Sequence, residues 1–199
     1  SSPASTAAAT HSLLQDALTA GGKIYLRTGV YEVNDRLVVG SDTELTGAPG
    51  PIVKLANGAN DFVFVIDEDA TDVWLHNFTI DGNKANNSSW ASGIQCADDS
   101  CSRLEFESLN VYNCKLYGMR LSGSQVKVTR CNVYDNDNSG ISGDLLTYFQ
   151  FCHNWAFRNL HHGIGCIGVC SYGLISDNLA EENGNGVAGA DNLTGYGAA

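Results

Sequence analysis

Asn110-Val111-Tyr112-Asn113-Cys114 and Asn132-Val133-Tyr134-Asp135-Asn136 say nearly the same thing 22 residues apart. Each is followed by a glycine and an apolar residue, Gly118-Met119 and Gly140-Ile141. Moving outward, the glycine mark recurs at Gly93-Ile94, Gly163-Ile164 and Gly186-Val187, with spacings of 22 to 25 residues. A second series runs through Val111, Val133, Trp155 and Leu179, each member preceded by an asparagine. A unit of this length is too short for two packed helices. Within it lie runs that alternate at period two, such as Val126-Lys127-Val128-Thr129 and Leu104-Glu105-Phe106-Glu107. Alternation is the strand signal, and the Gly, Asn, Asp and Ser between the runs are turn formers. Two or three short strands per repeat, stacked coil on coil, make a parallel β-helix.

Further strand-like runs precede the repeat, at 23–26, 36–39, 43–45, 52–55, 61–66 and 73–80. Leu13, Leu14, Ala17 and Leu18 fall at helical spacing, and Gly21-Gly22 stops them. The expected architecture is therefore all-β: a single-stranded right-handed parallel β-helix. A short N-terminal helix over 12–20 would shield the first coil. One domain spans 1–199, with coils over 23–192 and no amphipathic segment to cap the C-terminal end.

Ala20-Gly21-Gly22-Lys23-Ile24-Tyr25-Leu26-Arg27-Thr28-Gly29-Val30-Tyr31 resembles the opening of pectate-lyase-like right-handed β-helix proteins. Phe78-Thr79-Ile80-Asp81-Gly82-Asn83 looks like a coil common in that superfamily. The resemblance implies fold more than activity, because the superfamily holds lyases, hydrolases, epimerases, tailspikes and surface proteins.

The chain has 199 residues, a net charge of −11 and 43% hydrophobic residues. That is too apolar for an acidic disordered tail. The charge argues against nucleic acid and anionic membranes as partners. No apolar run is long enough to span a bilayer. Seven cysteines, a start without Met and sequons at Asn77, Asn86, Asn87 and Asn192 favour an extracellular or cell-surface protein.

Cys96, Cys114, Cys131, Cys152 and Cys166 sit at comparable coil positions, with Cys101 and Cys170 close after Cys96 and Cys166. Disulfides Cys96–Cys101 and Cys166–Cys170, with a third among Cys114, Cys131 and Cys152, are expectations; a buried ladder of small hydrophobes is the alternative. An odd count leaves one thiol free or bonded to another copy.

Candidate chemistry follows the superfamily. A lyase would use carboxylates for Ca²⁺, with Asp135 and Asp137 the densest oxygen cluster; no other cofactor is suggested. A hydrolase would pair carboxylates. The epimerase-like string Tyr-Gly-x-Asp-Pro-His is reduced to Tyr117-Gly118-Met119-Arg120. An enzyme would draw on Asp81, Asp135, Asp137, Arg120, His161 and His162. As a polar turn, 135–138 needs no ligand. The reading favoured on sequence is a non-catalytic structural protein that self-associates through its coil ends into a sheath, surface layer or filament. A polysaccharide lyase or hydrolase, or a fragment of one, is the alternative. A second is a carbohydrate-binding or tailspike-like module using Tyr112, Tyr134 and Trp90.

Overall fold

A computed structural model describes residues 3–48, 50–88, 91–184 and 193–194. Gly186, Val187, Asn192 and Trp90 lie outside the described residues. After one helix, Pro3–Ala20, the described chain winds through seven coils of short parallel strands. Each coil crosses three faces. The first face stacks Gly22–Leu26, Thr43–Gly47, Thr71–His76, Ser102–Glu107, the 124–129 half of a longer strand, Gln150–Cys152 and Leu174–Ser176. The second stacks Gly29–Val33, Pro51–Leu55, Thr79–Asp81, Asn110–Tyr112, Asn132–Tyr134, Trp155–Phe157 and Leu179–Glu181. The third stacks Leu37–Val39, Phe64–Ile66, Ile94–Cys96, the 119–121 half of the long strand, Ile141–Thr147, Ile164–Cys166 and Leu193–Thr194.

The fold is the expected one, and its core follows from the alternation. Inward columns are apolar and buried, for example Leu75, Phe106, Val128 and Phe151 on the first face and Phe64, Ile94, Met119, Ile141 and Ile164 on the third. Aligned neighbours sit one strand spacing apart, about 4.8 Å.

The helix is longer than the expected 12–20. The alanine-rich segment before it, Ala7-Ala8-Ala9, has the highest helix propensity and extends it to Pro3. Leu18 is buried and Leu14 packs on the core, but Leu13 is 72% exposed. The helix also covers the edge with a side chain. Val38 donates its N–H to Gln15 Oε1 (2.8 Å), and Gln15 Nε2 donates to Val38 O (3.1 Å). The glutamine amide thus stands in for a missing strand.

The expected run 73–80 divides at Asn77, whose φ of 62° turns the chain. Gly29–Val33 is a strand that the alternation did not reveal. From the third coil on, one corner has a constant form. Between the first and second faces stand two residues, the first left-handed and outward: Asn77, Ser108, Arg130, His153, Asp177. The second points inward and fills the corner: Phe78, Leu109, Cys131, Asn154, Asn178. The corner between second and third faces is filled by Asn83, Cys114, Asn136, Asn159 and Asn183.

The later corners are amide ladders. Asn136 N–H donates to Asn159 Oδ1 (3.3 Å), and Asn159 N–H donates to Asn183 Oδ1 (3.0 Å). Asn159 Nδ2 donates to Val133 O (3.0 Å) and Asn183 Nδ2 to Ala156 O (2.8 Å), one coil back. Cys131 N–H donates to Asn154 Oδ1 (3.0 Å), and Asn154 N–H to Asn178 Oδ1 (2.8 Å).

This arrangement corrects the second repeat series. Val111 and Val133 align with Ala156 and Ala180, whereas Trp155 and Leu179 align with Asn110 and Asn132. The series slips by one residue after the fifth coil. Asn110 and Asn132 face outward, bonded to each other (2.9 Å), while Asn154 and Asn178 are corner residues. The glycine series holds from Gly93 to Gly163, and Ile164 pairs with Leu193.

The seven cysteines carry free thiols. Cys96 and Cys101 interact through their thiols, as do Cys166 and Cys170. The third expected pairing has no geometric basis. Cys114 aligns with Asn136, Cys131 with Asn154 and Cys152 with Thr129, so the three occupy different columns.

Candidate functional site

The third face and its corner with the second bring together a group of charged and histidine side chains. Arg120 stands in the column Gln95, Arg120, Ser142, Gly165, of which Gln95 and Arg120 are partly exposed while Ser142 and Gly165 are buried. Inward neighbours Met119 and Leu121 hold its strand in the core. Its guanidinium donates to Asp144 Oδ2 (2.9 Å) and lies 5.7 Å from the centroid of the Tyr117 ring. Gly168, one coil on, leaves the space that Asp144 fills; a β-carbon there would overlap its carboxylate. Just before the repeat glycine of successive coils stand Ser92, Tyr117, Ser139 and His162, aligned by the Gly93-to-Gly163 ladder. His162 Nδ1 is buried without a hydrogen-bond partner in the described structure. His161 donates its N–H to Asn138 O (3.3 Å).

The adjoining corner is an ion network. Asp137 accepts from Lys84 (2.9 Å) and Lys115 (2.9 Å), and Lys84 also donates to Asp135 O (2.6 Å). Asp135 takes a bidentate pair from Arg158 (2.8 and 2.8 Å). Arg158 therefore holds the Asp135 carboxyl below the usual carboxylate range. Burial pushes the Asp137 carboxyl up, but the ammonium groups of Lys115 and Lys84 outweigh it and bring it down. Asp81 accepts from Asn83 N–H (2.8 Å). Burial, with Asp81 beside it, pushes the Tyr112 hydroxyl up to about 12.

Asp81, Asp135 and Asp137 thus share one corner, with Arg120, His161 and His162 on the face it borders. Calcium at Asp135 and Asp137 would have to displace three cations, and among the described residues no group of three or more His, Cys, Asp or Glu could hold a metal. The sequence does not announce Asp144, Lys84 and Arg158 as partners, whereas Tyr117 stands three residues before Arg120 in the quoted string. Only alignment of coils 22 to 53 residues apart brings them together.

The tyrosines expected to bind sugar do not present open faces. Tyr112, Tyr134 and Phe157 stack on one another at 5.1 and 4.7 Å, within 7° of parallel. Their faces cover each other and form a stabilising ladder. Of the sequons, Asn77 and Asn86 are exposed, whereas Asn87 is buried and gives its amide to Ala56 O and Asn83 O.

The sequence profile described as "Right handed beta helix region" matches residues 65–195. The chain belongs to the right-handed β-helix family. Among curated relatives, mannuronan C5-epimerase AlgE2 of Azotobacter vinelandii is 26% identical over 185 residues. The match covers 82% of this chain but 19% of that protein. The A-module of the A. vinelandii mannuronan C-5 epimerase AlgE6 superposes with a TM-score of 0.80 at 20% identity, covering 87% of this chain and 52% of that one. The AlgE4 A-module gives 0.76 at 23% identity, with 86% and 52% covered. These structures are alike in fold. As a right-handed β-helix protein, the chain spans about a fifth of the curated relatives it matches.

Proposed function

We propose that this chain processes an anionic polysaccharide of the uronan class, bound along the third face between the fourth and sixth coils. The observation that carries the reading is the similarity to mannuronan C5-epimerases across most of the chain. It favours the polysaccharide-processing alternative over the self-assembling structural role that the cysteine count suggested.

The chemistry that such a substrate needs is specific. A proton α to a carboxylate becomes removable when a cation neutralises that carboxylate. Arg120, steadied by Asp144, is the group placed for this. A base must take the proton, and an acid must return one to the opposite face (inversion) or release the leaving oxygen (elimination). Tyr117 and His162 flank the buried Ser139 in one column, about 10 Å apart by strand spacing. Where the epimerase-like string has Asp, this chain has Arg120, so acid and base come from Tyr117 and the neighbouring His161-His162 turn.

The test is incubation with mannuronan and with polygalacturonate. Proton NMR reads C5 inversion, and ultraviolet absorbance reads unsaturated chain ends. The wild-type chain should yield one of these products, and Arg120→Ala should slow it by about a hundredfold or more. Absence of both products from both polymers overturns the reading.

A further inference from the structure

On the first face, in the third coil and away from Arg120, an indole stands beside a shallow, open surface cavity of about 370 Å³. Trp74 lies in the outward column Lys23, Glu44, Trp74, Glu105. One face of its ring is stacked on the imidazole of His76, 4.0 Å between centroids and 14° from parallel. The remaining surface of the indole lines the cavity, with Lys23, Asp42, Glu44 and Asp72 around it.

The ring is held rigidly. His76 Nδ1 accepts from Asn77 Nδ2 (2.7 Å), so Nε2 carries the proton and donates to Glu44 Oε1 (3.0 Å). Glu44 also accepts from Lys23 (2.7 Å), and Asp72 takes a bidentate pair from Arg103 (2.7 and 2.6 Å). Lys23 first, and then His76, hold the Glu44 carboxyl below its ordinary range; Arg103 does the same for Asp72. Both carboxylates are therefore charged and countered, yet each keeps lone pairs for further donors.

We propose that this cavity is a second carbohydrate site, taking an uncharged pyranose unit of a neutral glycan. The apolar C–H face of a pyranose packs on a rigid aromatic surface, and its equatorial hydroxyls donate to fixed carboxylates. Because Glu44 and Asp72 already have their counter-cations, the site calls for hydroxyl donors rather than another charge. Uronate carboxylates would meet Asp42, Glu44 and Asp72 and be repelled. The site shares no residue with the third-face surface, so it stands or falls separately from the function proposed above. It would anchor the protein to a neutral polymer while the other face works on an acidic one.

The experiment is isothermal titration of the full chain with cellohexaose, mannohexaose and laminarihexaose, with hexamannuronate as the charged comparison. At least one neutral hexasaccharide should bind. Trp74→Ala should weaken it about tenfold or more, equal to about 1.4 kcal/mol. Trp74→Phe should retain part of the affinity, and circular dichroism melting checks that both variants fold. Asp72→Asn, which keeps the shape but loses Arg103's charged partner, should weaken binding by a smaller factor. No binding of any neutral hexasaccharide overturns the proposal. So does unchanged affinity in a folded Trp74→Ala, or binding of hexamannuronate alone.

Discussion

The early and late coils of this β-helix fill the same corners by different means. Phe78, Leu109 and Cys131 occupy the first corner by volume, and Asn154 and Asn178 take over the position with amides. At the second corner the third coil already carries an amide, Asn83, whose Nδ2 donates to Leu55 O one coil back (2.9 Å); Cys114 interrupts the series, and Asn136, Asn159 and Asn183 resume it. An apolar corner carries no directional information: any side chain of the right size will do. An amide corner ties the backbone of one coil to a named atom of the next. Where the spacing slips by one residue, between 132–134 and 155–157, the Cys131–Asn154 bond fixes which residues pair. At the first corner, then, the early coils are held by burial and the late ones by register.

The largest effect that would test this contrast is at Asn159, which is fully buried and bonded on both sides. Asn159→Asp should cost about 3–5 kcal/mol at neutral pH, because it buries a charge and leaves Val133 O without its donor. Urea denaturation measures it, and a loss below about 1 kcal/mol would erase the distinction. Next is Leu109→Ala, expected to cost about 2–4 kcal/mol as a cavity. Leu109→Met should return to within about 1.5 kcal/mol of wild type. The equivalent swap for volume, Asn154→Leu, should rescue nothing, since Cys131 N–H and Val128 O both lose their partner.

A smaller readout comes from thiol chemistry. Burial pushes the Cys131 thiol up to about 12 and raises Cys114 as well. Both should resist maleimide in the folded protein, while the half-exposed Cys152 and Cys170 label first; mass spectrometry against time gives the order. The smallest effect belongs to the surface pair Arg158–Asp135. Arg158→Ala should lower stability only slightly, and less in high salt. Asp135 has a folded-state pKa below its unfolded value of about 3.9. The pair's contribution is therefore present above that pH and lost as the pH falls through the lower folded value. A denaturation series from pH 6 to pH 2 checks the sign.

Much of the fold was legible because inward positions repeat in chemistry: Val111 and Val133, or Ile141 and Ile164, announce their shared columns. The slip was not legible. Asn132 and Asn154 look alike in sequence, though one faces water and the other fills a corner. The helix start was hidden because alanine before Ser12 shows no amphipathic stripe. For the candidate site, Arg120 and the histidines were visible as residue types. The partner Asp144 was not, because outward columns repeat in position and not in chemistry. Glu44 and His76 lie 32 residues apart with nothing in the intervening pattern to pair them.

The two-residue corner between the first and second faces keeps its length from Asn77-Phe78 to Asp177-Asn178. The other two edges do not, as the connections 56–63, 82–93, 113–118 and 167–173 show. An inserted residue in the constant corner would throw every later side chain out of its column. At either variable edge it would only lengthen a loop. Those two edges are the borders of the third face. Heritable change can therefore raise, lower or reshape the walls beside Arg120 without disturbing the spool on which the chain is wound, which separates the part that must stay from the part free to diversify.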